Sequence, residues 1–155
     1  MLSIFVDIQD DLDMILVESK RLSRKMELNR SETDPEVKDS RMSAMAVLIH
    51  SIYSGIEKVL KQLIEYFDGE VPSGSDWHAL LVSRARREID SIRPPIISPD
   101  VFEILSELRK FQHLFRGAYH TNLIPDRVME RAESARTLVP AFLKDLEVFR
   151  REVES

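Results

Sequence analysis

Arginine and histidine recur along one helix-forming segment, RKFQHLFRGAYHTNL, which spans residues 109–123 and contains two of the four histidines in the chain. At about 100° per residue, the spacing i, i+4, i+7, i+11 places four of these side chains within about 60° on one side of a helix. Neighbouring members are then within reach of each other. The four residues are Arg109, His113, Arg116 and His120.

These residue types are suited to chemistry on a phosphate ester. Imidazole exchanges protons near neutral pH, and guanidinium stabilises charge on a phosphoryl oxygen. The apolar residues of the same predicted helix centre on roughly the side opposite to these four basic residues. We therefore expect the four, here called the basic stripe, to point away from the protein core. The apolar residues are Ile104, Leu108, Phe111, Phe115 and Ala118.

The basic stripe has two other interpretations, a solvated surface and a metal site. Basic residues on an outward face are often simply solvated, and cations in a last turn favour the helix C-terminus. A metal site is not expected, because arginine would repel a cation and no carboxylate lies at ligand spacing. Solvation and phosphate binding both remain open on spacing alone.

Further basic residues lie outside this segment. The sequence SRARRE supplies a second possible phosphate contact through Arg84, Arg86 and Arg87. A solvated face in which these arginines pair with Glu88 and Asp90 is the alternative.

Two histidines have a structural and a functional interpretation. His78 follows Trp77 and is expected either to bond to a neighbouring carbonyl or to lie near bound RNA. His50 lies among apolar residues and is expected to be a satisfied core or interface histidine.

Composition narrows the class of protein. The chain has 155 residues, 43% hydrophobic and 32% charged, and is most simply one domain over residues 1–155. Its net charge of -5 argues against a protein that coats nucleic acid over its whole surface, so RNA contact would need a local patch. The absence of cysteine suits a reducing cytoplasm, and neither a membrane span nor a secretion signal is expected.

Apolar periodicity predicts an all-α antiparallel bundle of about five helices. The predicted helices cover about residues 2–28, 35–68, 76–91 and 99–120, and a last helix follows NLIPD (122–126) and continues to about residue 153, with Pro140 kinking or splitting it. Asp34-Pro35 and Ser98-Pro99 are typical helix starts, and Gly69 is a typical left-handed helix end.

Three segments together carry a resemblance to a known family: SGIEKVLKQLIEYFDGEVPSGSDWHALL (54–81), IRPPIISPDVFEILSELRKF (92–111) and FRGAYHTNL (115–123). The chain resembles the HepT-like branch of the HEPN superfamily from about residue 44 to 150. The resemblance implies a HEPN-like helical bundle and a metal-independent ribonuclease that acts as the toxin of a toxin–antitoxin pair. It also implies a homodimer, no cofactor, and a minimal nucleotidyltransferase antitoxin that adds AMP to a tyrosine.

The family motif is Arg, four residues, His, one residue, Tyr. Aligned through Ala118-Tyr119, it falls on Gln112, Gly117 and Tyr119, so only the tyrosine matches and Tyr119 becomes the candidate for AMP addition. Glutamine carries no charge and glycine carries no side chain, so neither can perform the proton transfer or phosphate stabilisation of the family.

Two functions follow from this departure. In the first, the chemistry has moved to the stripe, where His113 or His120 acts as general base and Arg116 or Arg109 steadies the phosphorane. In the second, cleavage is lost and the basic face keeps a role in binding RNA, a partner or another copy of the chain, so the domain is a non-catalytic helical module.

Overall fold

The structure is a computed structural model that describes residues 1–117 and 125–155, with side-chain surroundings described for residues 1–112 and 126–155. Six helical segments follow one another in the described chain. They are α1 (Ser3–Asp7), α2 (Gln9–Arg30), α3 (Pro35–Asp68), α4 (Trp77–Ala85), α5 (Pro99–Gly117) and α6 (Pro125–Glu154). The expected all-α bundle is therefore confirmed.

The long helices run antiparallel to their chain neighbours. Along α2 and α3, Asp11 bonds to Lys58 while Glu18 accepts from Ser51, so the partner's number falls as the helix advances. The same holds for α5 and α6, where Ser98 NH donates to Asp145. This arrangement buries the apolar face of α3 against α2 and α6, and α4 packs between α3 and α5.

Helix termini lie where turn chemistry predicts them. The Asp34 carboxylate accepts from Glu36 NH at 2.9 Å and caps α3, which ends at Gly69 with φ +83°. Ser98 Oγ accepts from Val101 NH at 3.4 Å at the start of α5. Because these caps satisfy backbone groups that lack partners within the helix, the three predicted boundaries are confirmed.

Three predicted helices differ in detail. The first is interrupted at Ile8, although Ile8 NH and Leu12 NH still make helical bonds across the junction. The helix predicted for residues 76–91, which is α4 in the structure, ends at Ala85. It ends there because the carbonyl of Ala85 accepts from Ile96 NH at 2.8 Å. The last helix continues through Pro140, so the predicted split is wrong.

The segment between α4 and α5 is held by one buried side chain. Arg93 is 3% exposed and lies beneath residues 86–97, where it bonds to Asp68 at the end of α3. This contact fixes α4 and the start of α5 against α3. Within the described residues, no helix combines the length and apolar character needed to cross a membrane.

Candidate functional site

A polar cavity of about 270 Å³ lies where α3, the start of α4 and α5 meet. The groups in its wall that can take part in chemistry are one guanidinium, two imidazoles, two carboxylates, one phenol, two serine hydroxyls and one amide. They belong to Arg109, His50, His78, Glu57, Asp76, Tyr53, Ser54, Ser75 and Gln112.

A buried carboxylate joins two of these groups. Glu57 is 6% exposed, and its Oε2 lies 2.6 Å from His78 Nδ1 and 2.9 Å from the hydroxyl of Tyr53. Tyr53 and Glu57 are one turn apart on α3, so their side chains point the same way. The ring of Trp77 stacks on His78 with centroids 3.6 Å apart and helps to fix the imidazole plane.

This arrangement corrects the structural interpretation of His78, whose partner is a carboxylate and not a carbonyl. The sequence analysis did not select Glu57. The sequence feature that could have indicated Glu57 is its position: it is an acid next to Ile56, on the helix face that also buries Tyr53 and Leu60. An ionisable group in such a position is buried only with partners, so the position itself indicates a functional or structural pair.

The motif position Gln112 also faces the cavity. Its side chain is 6% exposed, and its amide oxygen contacts Nδ1 of His50. Within the described part of the chain, the amide Nε2 is buried and makes no hydrogen bond. The residue that the resemblance aligns with the arginine of the family motif is therefore an uncharged amide, and no described residue uses its donor group.

Arg109 lies one turn before Gln112 and is half-buried at the cavity wall, whereas the sequence predicted an outward orientation. The buried stripe of α5 consists of Val101, Leu105, Leu108 and Gln112, spaced i, i+4, i+7 and i+11. At about 100° per residue, Arg109 is about 70° from the centre of this stripe and not opposite to it. The predicted core direction, taken from Ile104, Leu108, Phe111, Phe115 and Ala118, was misplaced because it left out the buried Val101, Leu105 and Gln112.

The remaining residues of the predicted stripe and motif are described only in part. His113, Arg116 and Gly117 belong to α5, but their side chains lie outside the described residues. Tyr119 and His120 also lie outside the described residues. The catalytic roles of His113, Arg116 and His120 and the modification of Tyr119 therefore stay predictions.

The arginines of SRARRE make different contacts. Arg84 donates to the carbonyl of Glu70 at 3.3 Å, and Arg86 lies over the ring of Phe102, 4.2 Å from its centroid. Arg86 and Arg87 are exposed. Contact of these arginines with RNA stays a prediction.

The bundle and its cavity define an all-α domain with a cluster of polar groups where α3, α4 and α5 meet. A family model described as HepT-like protein matches residues 44–153, which include every residue that lines the cavity. The chain belongs to the HepT-like family, and it is a HEPN-type toxin-like domain. Neither the curated proteins nor the solved structures gave a match.

Proposed function

We propose that this protein is a metal-independent ribonuclease and the toxin of a toxin–antitoxin pair. The observation that carries the proposal is the position of Arg109, which shares one cavity with the motif position Gln112 and two imidazoles. A cation beside proton-transferring groups is the set that phosphate-ester cleavage needs when no metal is used. Family membership supports the toxin–antitoxin context.

In this proposal Arg109 takes over the phosphate contact that Gln112 cannot make. A guanidinium can hold two phosphate oxygens at once, which also fixes the orientation of the ester. Arg109 lines the cavity one turn before Gln112, so its positive charge lies next to the motif position. Arg116, His113 and His120 are proposed as the further members of the set.

RNA would reach the cavity along surface arginines. Arg86 and Arg87 are exposed, and Arg84 stands one turn before them at the end of α4, the helix that contributes His78 to the cavity. Phosphate contacts of this kind position a nucleic acid without reading its sequence. We therefore propose that these arginines bind the RNA backbone and that His78 lies where the RNA enters the cavity.

The proposed partner is a minimal nucleotidyltransferase antitoxin that adds AMP to Tyr119, and the proposed assembly is a homodimer. AMP would bring a bulky anion to residue 119, seven positions after Gln112. Such an anion would compete with RNA phosphate for the nearby basic residues. Mass spectrometry of the protein after incubation with the antitoxin and ATP tests the modification, and Tyr119→Phe is its control.

Cleavage of a labelled RNA in excess chelator tests the nuclease. We expect slow cleavage by the wild type and a loss of about 100-fold in His113→Ala or His120→Ala if that residue is the general base. Arg109→Ala should also lower the rate, whereas Arg127→Ala, an exposed cation on α6, should not. Intact RNA at high wild-type concentration contradicts the proposal.

A second function is favoured by the neutral motif itself. Gln112 is bonded to His50, and Gly117 has no side chain, so the usual motif pair contributes no charge. The domain would then be a non-catalytic module for dimerisation or for binding the nucleotidyltransferase. Stable association with that partner, together with the absence of RNA cleavage, would select this function, and a monomer that ignores the partner would exclude it.

A further inference from the structure

The cavity contains a carboxylate–imidazole pair that the motif positions do not account for. His78 Nδ1 lies 2.6 Å from Glu57 Oε2, and the same oxygen accepts from the hydroxyl of Tyr53 at 2.9 Å. His78 belongs to α4, whereas the family motif and the predicted basic stripe lie within residues 109–120 of the sequence. The pair is therefore a separate set of groups that faces the same cavity.

The contacts of Glu57 fix which nitrogen of His78 is available. A carboxylate accepts hydrogen bonds, so the neutral ring that pairs with it carries its proton on Nδ1. The lone pair is then on Nε2. Since the side chain of His78 is 27% exposed while that of Glu57 is 7% exposed, the imidazole is the member of the pair that solvent or a ligand can reach.

The burial of Glu57 gives the pair a second property. Its carboxylate lies directly against the ring on the side opposite Nε2, so it holds the imidazole with Nε2 free to face the cavity. Tyr53 fills another lone pair of the carboxylate and holds it in place. A buried carboxylate that orients a more exposed imidazole is the arrangement that general-base catalysis uses in other enzymes.

We infer that His78, oriented by Glu57, is a general base of the cavity that accepts the 2′-hydroxyl proton of an RNA ribose. This inference rests on the proposed ribonuclease function. The 2′-oxygen then attacks the adjacent phosphorus, and the bond from phosphorus to the 5′-oxygen breaks. The 5′-oxygen leaves with the bonding electron pair and takes a proton from water, and His78 returns its proton to the hydroxide so formed.

Arg109 completes this arrangement, because it lines the same cavity and supplies positive charge for the phosphorane. The cavity volume of about 270 Å³ is near the lower end for a ligand site, which suits one phosphodiester and its ribose better than a whole oligonucleotide. RNA would thus enter the cavity at one linkage and lie mostly outside it.

Three variants separate chemistry from support of the fold. His78→Gln removes the base, Glu57→Gln keeps a hydrogen-bond acceptor without the charge, and Tyr53→Phe removes only the hydroxyl. We expect the cleavage rate to fall by about 100-fold in His78→Gln and by less in Glu57→Gln, with RNA still bound. Tyr53→Phe should have the smallest effect, and thermal unfolding shows which variants remain folded.

Chemical rescue gives a measurement that a merely structural role would not change. In His78→Ala, added imidazoles of graded basicity should restore cleavage, and the restored rate should rise with the basicity of the added base. If imidazole only refilled a packing defect, rescue would not follow basicity. Nitrogen NMR of the neutral imidazole should also show the proton of His78 on Nδ1, and a proton on Nε2 would overturn the inference.

The two proposals fail in different ways. Wild-type protein that cleaves RNA while His78→Gln cleaves it equally fast overturns the role of His78 and leaves the nuclease standing. Wild-type protein that cleaves nothing removes the nuclease, and the catalytic role of His78 with it. Loss of cleavage in folded His78→Gln, with rescue that follows basicity, supports both.

Discussion

Arg93 and Asp68 form a two-point ion pair that is withdrawn from solvent. Nε of Arg93 lies 2.6 Å from Oδ1 of Asp68, and Nη2 lies 2.9 Å from Oδ2. The guanidinium also donates to the carbonyls of Arg84, Arg87 and Pro94 at 2.9 to 3.3 Å. One side chain thereby ties the end of α3, the end of α4 and the segment before α5 together.

Arg93→Met should destabilise the fold strongly. The substitution leaves Asp68 without its partner and takes one donor from each of three carbonyls, and removing one member of a buried pair costs about 3–5 kcal/mol. The free energy of unfolding in urea measures the loss. Arg87→Met changes an exposed arginine of the same segment and should stay within about 0.5 kcal/mol of wild type; equal losses in the two variants would contradict this assignment.

Acid should remove one contact between α2 and α3. The hydrogen bond from Lys58 Nζ at 2.8 Å, helped by Gln62, holds the pKa of Asp11 below its ordinary value of 3.8. A lowered pKa in the folded state stabilises the protein above the ordinary value, and this contribution is lost as the pH falls through the folded pKa. The side chain of Asp11 is partly exposed, so we expect no more than about 1 kcal/mol.

The comparison of Asp11→Asn with wild type at about pH 6 and about pH 2.5 tests this contribution. The variant should be less stable at the higher pH, and the difference should shrink at the lower pH. Asp10→Asn, an exposed acid on the same helix, is the matched control and should show a smaller change. A difference in stability between Asp11→Asn and wild type that grows as the pH falls would contradict this contribution.

The close approach of α2 and α3 depends on Gly55. A Cβ at this position would lie 2.9 Å from Cγ1 of Ile15, which is 2% exposed and has little room to move. Gly55→Ala should therefore destabilise by about 1–2 kcal/mol, since overpacking outweighs the gain of about 1 kcal/mol in helix propensity. In an Ile15→Ala background the same change should become stabilising, and a double-mutant cycle on unfolding free energies measures the reversal.

Restoring the family motif should raise RNA cleavage. The double variant Gln112→Arg, Gly117→His would return a guanidinium and an imidazole to the positions that lack them, and we expect the rate in chelator to rise by about 100-fold over wild type. Gln112→Met keeps a side chain of similar size without charge and should bring no gain. A folded double variant with wild-type activity would show that the motif positions are no longer connected to the site.

Local sequence signals predicted the helix boundaries that depend on caps. Asp34, Gly69 and Ser98 each act through their own backbone or nearest neighbours, so their effect does not require knowledge of the rest of the fold. The end of α4 was missed for the opposite reason. Its last carbonyls bond to Ile96, Ile97 and Arg93, and those contacts form only when the following segment folds back.

The candidate site was predicted in part. The resemblance led to Gln112 and the spacing led to Arg109, and both line the cavity. Periodicity gave the wrong orientation for Arg109, because the core direction was taken without the buried Val101, Leu105 and Gln112. Glu57 and Tyr53 were missed as site residues because on α3 they have the spacing of ordinary core positions.

The sequence by itself determined the helical class, the caps and the family, since these depend on residue type and on spacing within a few turns. Only the tertiary structure decided that His78 meets Glu57, 21 positions away, and that His50 meets Gln112, 62 positions away. The physical reason is that such pairs form where three helices pack, and packing angle and depth are not encoded in the period of any one helix.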